Sequence, residues 1–336
     1  MPKKTNHPRG TVQSFVLTSQ AISNNMLGDP AERRIDVYIP HGHDGAGLPL
    51  LVDLVGFTAG GPKHTAWLNF GENVPERVDR LIAQGQMEPC VIAFPDCFTR
   101  LGGNQYINSS AMGNWADFLL QECVPEVERR FGCGGDGKRG VFGKSSGGYG
   151  SMVHALLYPD FWSAAASHSG DMGFELMFAA DFAHTLRRLA KYENSIEAFI
   201  AGFEASRKVS GDDLHAMMML AMAATYDPDP DSYMGIRLPV TMDTCERIPE
   251  YWANWMRWDP LEMLDAHGEG LKSLKALYID CGDVDQYNLL YGARRMTRDL
   301  TRRGISHVYE EFPDNHSSTD YRMDTSLPLL AKALSA

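Results

Sequence analysis

The chain has 336 residues, of which 44% are hydrophobic and 22% charged, a composition that suits one large α/β domain with a sizeable core. Its formal net charge of −12 argues against a nucleic-acid partner, because such proteins carry clustered Lys and Arg. The basic N-terminus MPKKTNHPRG is followed by no apolar run. We therefore expect neither a signal peptide nor a membrane anchor, and a cytoplasmic protein without a membrane partner.

Two segments at 11–18 and 34–39 alternate polar and apolar residues, and this period of two predicts antiparallel strands that open a sheet. The apolar run 48–55 predicts a central strand covered on both faces, and a Gly-rich loop follows it. Strand and helix alternate from there. The predicted elements are a helix at 74–83, a strand at 90–94, a helix at 114–130 with a kink or break at Pro125, and a strand at 163–167.

The segment RGVFGKSSGGYGS reads as an apolar strand that enters a Gly-rich turn and then a helix. Its centre has the pattern G-x-S-x-G, in which Gly143 and Gly147 flank Ser145. Small residues are needed at these positions because the Ser of such a turn sits on a sharp bend. Ser145 is therefore the candidate nucleophile. Ser146 fails the same test, since Lys144 stands two positions before it. A Gly/Ser-rich loop without chemistry is the alternative interpretation.

Residues 171–260 differ from both flanks, because strand signals vanish and Met and Trp become frequent. We interpret this stretch as a helical insertion that forms a lid over the site, between two parts of a hydrolase core at 1–170 and 261–336. Met-rich helices that simply fill an irregular core are the alternative. The predicted helices lie at 182–192, 196–203, 214–224 and 251–258.

A Ser hydroxyl is a weak nucleophile, so chemistry at Ser145 requires a base and an orienting carboxylate. Asp285 and His316 follow predicted strands at 275–281 and 307–312, at the sheet edge where the nucleophile turn also lies. The order Ser, Asp, His is that of hydrolases with this turn.

Two other side chains compete for these roles. Asp283 lies in the same turn as Asp285, and we favour Asp285 because it lies further round the turn toward His316. His168 ends the sixth predicted strand, but no Asp at a later strand end is available to pair with it.

Two backbone amides are expected to stabilise the oxyanion. In hydrolases with this turn, one N–H comes from the residue after the nucleophile and the other from the loop after the third strand. These are the amides of Ser146 and Phe57. A Gly-rich connection that serves packing alone is the alternative for Phe57. We expect no cofactor and no metal, because the cluster of His41, His43 and Asp44 is explained by a Gly- and Asp-rich turn.

The motifs GKSSGGYG, DLVGFTAGG, YINSSAMGNW, SHSGDM, CGDVDQ and FPDNHSS together resemble the putative-esterase family of α/β-hydrolases. This family includes S-formylglutathione hydrolases, feruloyl esterases, enterochelin-type esterases and mycolyltransferases, and the resemblance covers nearly all of the chain except the insertion. It implies an α/β-hydrolase fold with a mostly parallel sheet of about eight strands and helices on both faces. It also implies a serine carboxylester hydrolase that uses Ser145, Asp285 and His316.

The sequence departs from the family in two ways that leave the substrate open. Lys144 replaces the aromatic, His or apolar residue more usual before the Ser, and the Met- and Trp-rich insertion is longer than in the compact members. Lys144, Trp252, Trp255 and Trp258 are the candidate substrate-binding residues.

The leading hypothesis is an esterase that forms an acyl-enzyme on a small-molecule ester with a bulky or aromatic acyl part. An acyltransferase, in which an alcohol replaces water, and a non-catalytic binding module of the same fold are the alternatives. The sequence leaves open whether the chain forms a homo-oligomer.

Overall fold

The centre of the protein is a sheet of eight strands in a computed structural model that describes residues 7–336. Part of the N-terminal segment discussed above therefore lies outside the described residues. The strands are β1 (Thr11–Thr18), β2 (Glu32–Ile39), β3 (Leu50–Leu54), β4 (Val91–Pro95), β5 (Arg139–Lys144), β6 (Ala164–His168), β7 (Ala276–Gly282) and β8 (Val308–Phe312).

The order of the strands in space is β1-β2-β4-β3-β5-β6-β7-β8. β1 and β4 pair with β2 in antiparallel fashion, and all the other pairs are parallel. This confirms the predicted mostly parallel sheet of about eight strands. β3 is buried over its whole length and lies between β4 and β5, with Val52 opposite both Ala93 and Val141.

The chain leaves β3 for β4 on one side and later returns to β5 on the other. This change of direction opens a crevice beyond the carboxyl ends of the strands, which is where ligands bind in open α/β sheets. Ser145 follows directly after β5 at this edge.

Helices cover both faces of the sheet. α2 and α13 pack their apolar residues against one face, and α5 and α12 pack against the other within a larger hydrophobic cluster. The helices are α1 (Pro62–Thr65), α2 (Val74–Ala83), α3 (Trp115–Asp117), α4 (Val124–Phe131), α5 (Ser146–Leu157), α6 (Phe174–Met177), α7 (Asp181–Leu189), α8 (Ile196–Ala205), α9 (Gly211–Tyr226), α10 (Pro249–Met256), α11 (Pro260–His267), α12 (Leu289–Arg302) and α13 (Met323–Ser335).

The predicted break near Pro125 takes the form of a π-helical segment, Phe118–Cys123, that joins α3 to α4. Pro125 is the second residue of α4, directly after the π-helical segment, so its missing N–H falls where the regular α-helical bonding pattern is already interrupted. The predicted helix over 74–83 matches α2 in both bounds, and Asn73 caps it through the amide of Glu76.

Between β6 and β7 the described chain contains helices and no strand of the sheet, as predicted. These helices share one hydrophobic cluster with the face of the sheet that carries α5. Tyr149 of α5 connects the two, since its ring lies 6.0 Å from that of Phe174 and 5.9 Å from that of Tyr226. No helix within residues 7–336 is long and apolar enough to cross a membrane.

Candidate active site

Ser145 lies on a strained turn between β5 and α5. Its backbone has φ 57° and ψ −125°, a conformation that a side chain other than Gly adopts only when its surroundings enforce it. The two flanking glycines are required by space rather than by flexibility. A Cβ on Gly143 would lie 2.2 Å from the Leu54 carbonyl oxygen, and one on Gly147 would lie 1.7 Å from it. The G-x-S-x-G pattern therefore reflects a close approach of the turn to the end of β3.

Asp285 and His316 meet at the same edge of the sheet. The Nδ1 atom of His316 lies 2.8 Å from Oδ2 of Asp285, and both residues are buried. The other carboxylate oxygen, Oδ1, accepts the amide of Tyr287 at 2.9 Å, while Gln286 Oε1 accepts the amide of His316 at 3.0 Å. The Asp285 carboxylate is thus held by two contacts, while His316 is held through its ring and through its backbone amide. Asp283, the competing acid, is exposed at the surface.

Ser145 and His316 line a single cavity of about 930 Å³. No direct hydrogen bond joins their side chains in the part of the chain that the structure describes. In ligand-free enzymes such contacts are often long and shorten only when substrate binds. The arrangement therefore brings together the three side chains predicted from the sequence, with the Asp–His contact already formed.

The amides of Phe57 and Ser146 have the surroundings expected of oxyanion donors. Both residues line the cavity, and Ser146 is the first residue of α5, whose N–H has no acceptor within the helix. None of the described backbone groups accepts a hydrogen bond from either amide. Gly103 packs closely against the Phe57 loop, and only glycine fits there, because a Cβ would lie 2.3 Å from the Phe57 carbonyl oxygen.

The rest of the cavity wall comes partly from the insertion. Met177 of α6 and Leu214, His215 and Met218 of α9 line it, as does Lys144 beside the turn. The insertion thus contributes part of the cavity wall. That it acts as a lid, and that it opens and closes, stays a prediction.

The three tryptophans predicted to bind substrate do not line this cavity, and here the expectation needs correction. Trp252 and Trp255 are buried, and Trp255 packs against Phe178, Phe182 and Tyr226 at ring distances of 5.3 to 5.6 Å. Trp258 borders a separate, smaller cavity. Trp252 and Trp255 lie on α10, which faces other helices of the insertion, so these two rings form part of its core. A helical period in the sequence marks a buried face, but it does not show whether that face packs on another helix or on a ligand.

The buried pair Asp171 and Gln105 was missed in the sequence. Gln105 Nε2 donates to Ser146 Oγ at 2.9 Å and to Asp171 Oδ2 at 3.3 Å, beneath the predicted oxyanion amide. Burial raises the pKa of Asp171 to about 7. The only signal for Asp171 was its place in SHSGDM after β6, and nothing in the sequence pointed to Gln105.

A second Ser–His–Asp arrangement lies behind the site. His168 Nδ1 lies 2.9 Å from Asp280 Oδ1, and His168 Nε2 lies 2.8 Å from Ser326 Oγ. The expectation that no Asp pairs with His168 was therefore wrong. It considered only Asp residues at the ends of later strands, whereas Asp280 lies within β7, in register with His168. All three residues are buried, and none lines the cavity.

No group of three His, Cys, Asp or Glu side chains in residues 7–336 is placed to hold a metal ion. In the HGHDG turn, Asp44 accepts the amide of Ala46 at 3.0 Å, an arrangement typical of such turns.

The sequence matches the family described as "Putative esterase" over residues 25–325. The comparison with curated protein sequences found no match.

Solved structures of similar fold include several esterases. A ferulic acid esterase is 17% identical with a TM-score of 0.63, over 97% of this chain and 99% of the other. An S-formylglutathione hydrolase from Agrobacterium tumefaciens is 16% identical with a TM-score of 0.60, over 97% and 96%. FphF, a fluorophosphonate-binding serine hydrolase from Staphylococcus aureus, is 16% identical with a TM-score of 0.59, over 96% and 99%. At these identities the likeness shows the fold, which is that of α/β-hydrolases.

Proposed function

The chain belongs to the putative esterase family, and from this we propose that it hydrolyses carboxylic esters through an acyl-enzyme formed on Ser145. The observation that carries the proposal is the 2.8 Å contact between Asp285 and His316 at the cavity that Ser145 also lines. The strained turn that presents Ser145 supports it, since such strain is retained where the surroundings enforce it for function.

Each residue has a defined role in the proposed reaction. His316 Nε2 accepts the proton of Ser145 Oγ while this oxygen attacks the ester carbonyl carbon. The carbonyl oxygen becomes an oxyanion, to which the amides of Phe57 and Ser146 donate hydrogen bonds. Asp285 accepts the Nδ1–H of His316, which leaves Nε2 free as the base and stabilises the imidazolium that forms.

The intermediate then collapses, and His316 gives its proton to the departing alcohol. Water attacks the acyl-enzyme carbonyl in the second half of the reaction, with His316 again as base. Its proton finally returns to Ser145 Oγ, so that the products are the acid and the free enzyme.

We further propose that the acyl part of the substrate is bulky or aromatic. The cavity volume of about 930 Å³ lies near the upper end of small-molecule sites, which span roughly 300 to 1,000 Å³. Its insertion side is mostly apolar, where Met177, Leu214 and Met218 line it together with Leu289 of α12. His215 on the same side is paired with Asp181 at 2.9 Å. Such a surface favours a large apolar group by removing it from water.

The test is hydrolysis of p-nitrophenyl acetate by the wild type, Ser145→Ala and Ser146→Ala. We expect Ser145→Ala to lose several orders of magnitude in kcat, because the bond-forming oxygen is gone. Ser146→Ala keeps its backbone N–H, so its loss should stay below about tenfold. Turnover by Ser145→Ala at the wild-type rate would exclude the proposed nucleophile.

A further inference from the structure

The two ends of the cavity differ in chemistry. The end formed by the insertion is mostly apolar, and its His215 is paired with Asp181 at 2.9 Å. The end formed by α1, the last residue of β5 and the segment after β8 is charged, and carries Lys63, His64, Lys144 and Asp320. Local positive charge is unexpected in a chain whose formal net charge is −12. The charged end therefore calls for a functional explanation.

Three charged groups at this end, His64, Arg77 and Glu72, already have partners. His64 Nδ1 lies 2.5 Å from Asp53 Oδ2, and the Asp53 contact helps to raise the pKa of His64 against the effect of its burial. Arg77 pairs with Asp324 of α13, a residue that does not line the cavity.

Glu72, at the same end, also has a partner. Both of its carboxylate oxygens accept hydrogen bonds from Arg80, at 2.9 to 3.0 Å. These paired groups leave no net charge available for a ligand. Lys63, which is exposed, and Asp320 also line the cavity, and neither forms a salt bridge within residues 7–336.

Lys144 is different. It directly precedes Ser145, it is half-buried, and it forms no salt bridge with any residue that the structure describes. Burial lowers its pKa, and the charges of Asp320 and Asp285 oppose this effect from beyond ion-pair distance. A desolvated ammonium without a close carboxylate gains more from a bound anion than a solvated surface lysine does.

We propose that Lys144 binds a carboxylate carried by the substrate, so that the preferred ester bears an anionic group on one of its two halves. This rests on the proposed ester hydrolysis. Lys144 and Ser145 line the same cavity, so one substrate can present its ester carbonyl to Ser145 and its carboxylate to Lys144. The apolar end of the cavity then receives the other half of the substrate.

The experiment compares matched charged and neutral esters in two arms. The acyl arm uses the p-nitrophenyl monoester of glutaric acid against p-nitrophenyl pentanoate. The alcohol arm uses 3-acetoxybenzoate against 3-acetoxybenzamide. In each arm the ratio of kcat/KM for the charged over the neutral ester is measured for the wild type and Lys144→Met. Because the neutral ester controls for fold and for the chemistry at Ser145, this ratio reports the charge alone.

We expect Lys144→Met to lower that ratio about tenfold or more in one arm, as loss of a hydrogen bond to a charged group does. Lys144→Arg should retain much of the preference, and Asp320→Asn should increase it by removing a competing anion. Lys138→Met is the matched control, since Lys138 stands at the opposite end of β5 and bonds the Gly47 carbonyl at 3.0 Å. Its ratio should equal that of the wild type.

A binding measurement separates this proposal from the hydrolysis itself. The anilide of glutaric acid, titrated calorimetrically into the wild type and Lys144→Met, should bind about tenfold more weakly to the variant whether or not esters turn over. Loss of turnover with charge-dependent binding would exclude hydrolysis and support the anion site. Equal ratios in both arms together with equal binding would overturn the anion site and leave hydrolysis standing.

Discussion

The protein contains two Ser–His–Asp arrangements, and only one of them has the surroundings that catalysis requires. In both, the His Nδ1 lies within 2.9 Å of an Asp oxygen. The group of Ser326, His168 and Asp280 even has the serine hydroxyl in place, at 2.8 Å from His168 Nε2. By distances between side chains alone, this buried group is the better candidate.

The difference lies in access and in charge. Ser326 sits within α13 with 0% of its surface exposed, so no substrate carbonyl reaches it. Burial alone would raise the pKa of Asp280, but His168 and Arg322 hold it below its usual value. Arg322 already balances the charge of Asp280. This carboxylate would therefore stabilise a newly formed imidazolium less than a carboxylate without such a partner would.

Ser145, in contrast, stands on a strained turn at a helix N-terminus and faces a large cavity. Asp285 accepts hydrogen bonds from His316 and from one backbone amide, and within residues 7–336 it forms no salt bridge with an Arg or Lys. The comparison shows that a site is defined by exposure, by available amides and by an uncompensated acid, more than by the three distances.

The largest expected effect separates the two histidines. His316→Ala should lower kcat for p-nitrophenyl acetate by about four to six orders of magnitude, since it removes the base. His168→Ala should leave the site chemically intact but reduce the free energy of unfolding by about 3–5 kcal/mol, because it breaks a buried pair. Kinetics on the folded fraction and urea unfolding measure the two effects. A large loss of kcat in folded His168→Ala would make the buried group part of the site.

The next effect separates the two acids of the CGDVDQ turn. Asp285→Asn should lower kcat by about 10⁴-fold, because the amide no longer sets the tautomer of His316. Asp283→Asn changes an exposed side chain and should stay within about 0.5 kcal/mol of the wild type in stability, with wild-type kcat. The reverse ranking in steady-state kinetics would transfer the orienting role to Asp283.

The smallest expected effect distinguishes insertion residues that line the cavity from those that form the insertion's core. Met218→Ala should raise KM for a bulky aromatic ester by up to about tenfold relative to acetate, because apolar contact with the substrate is lost. Trp255→Ala should instead cost about 3–5 kcal/mol of stability without changing that KM ratio, as expected for a core side chain. A KM ratio that responds to Trp255 and not to Met218 would restore the tryptophans to the substrate site.

The sequence predicted the sheet well because its strands are short apolar runs with clear ends, as at β3 and β4. It also predicted that Ser145, Asp285 and His316 lie at one edge of the sheet, since each follows a strand there. It missed the pairing of His168 with Asp280 because both lie within strands, where only the register brings them together.

The insertion was harder to interpret, since helical periodicity marks a buried face but not what covers it. Trp252 and Trp255 pack on the other insertion helices, while Leu214 and Met218, one turn apart on α9, face the cavity. Both pairs have a helical spacing in the sequence, with the tryptophans three residues apart and Leu214 and Met218 four residues apart. Only the arrangement of the helices distinguishes core from cavity wall.

The most direct measurement is covalent labelling with a fluorophosphonate, followed by peptide mapping of the adduct by mass spectrometry. Such reagents modify a serine only where a base and oxyanion donors activate it. We predict a single adduct, on Ser145. Ester hydrolysis should be lost as this adduct forms, and the adduct should be absent in His316→Ala. An adduct on Ser326, or full hydrolysis in protein completely labelled on Ser145, would contradict the assignment of the site.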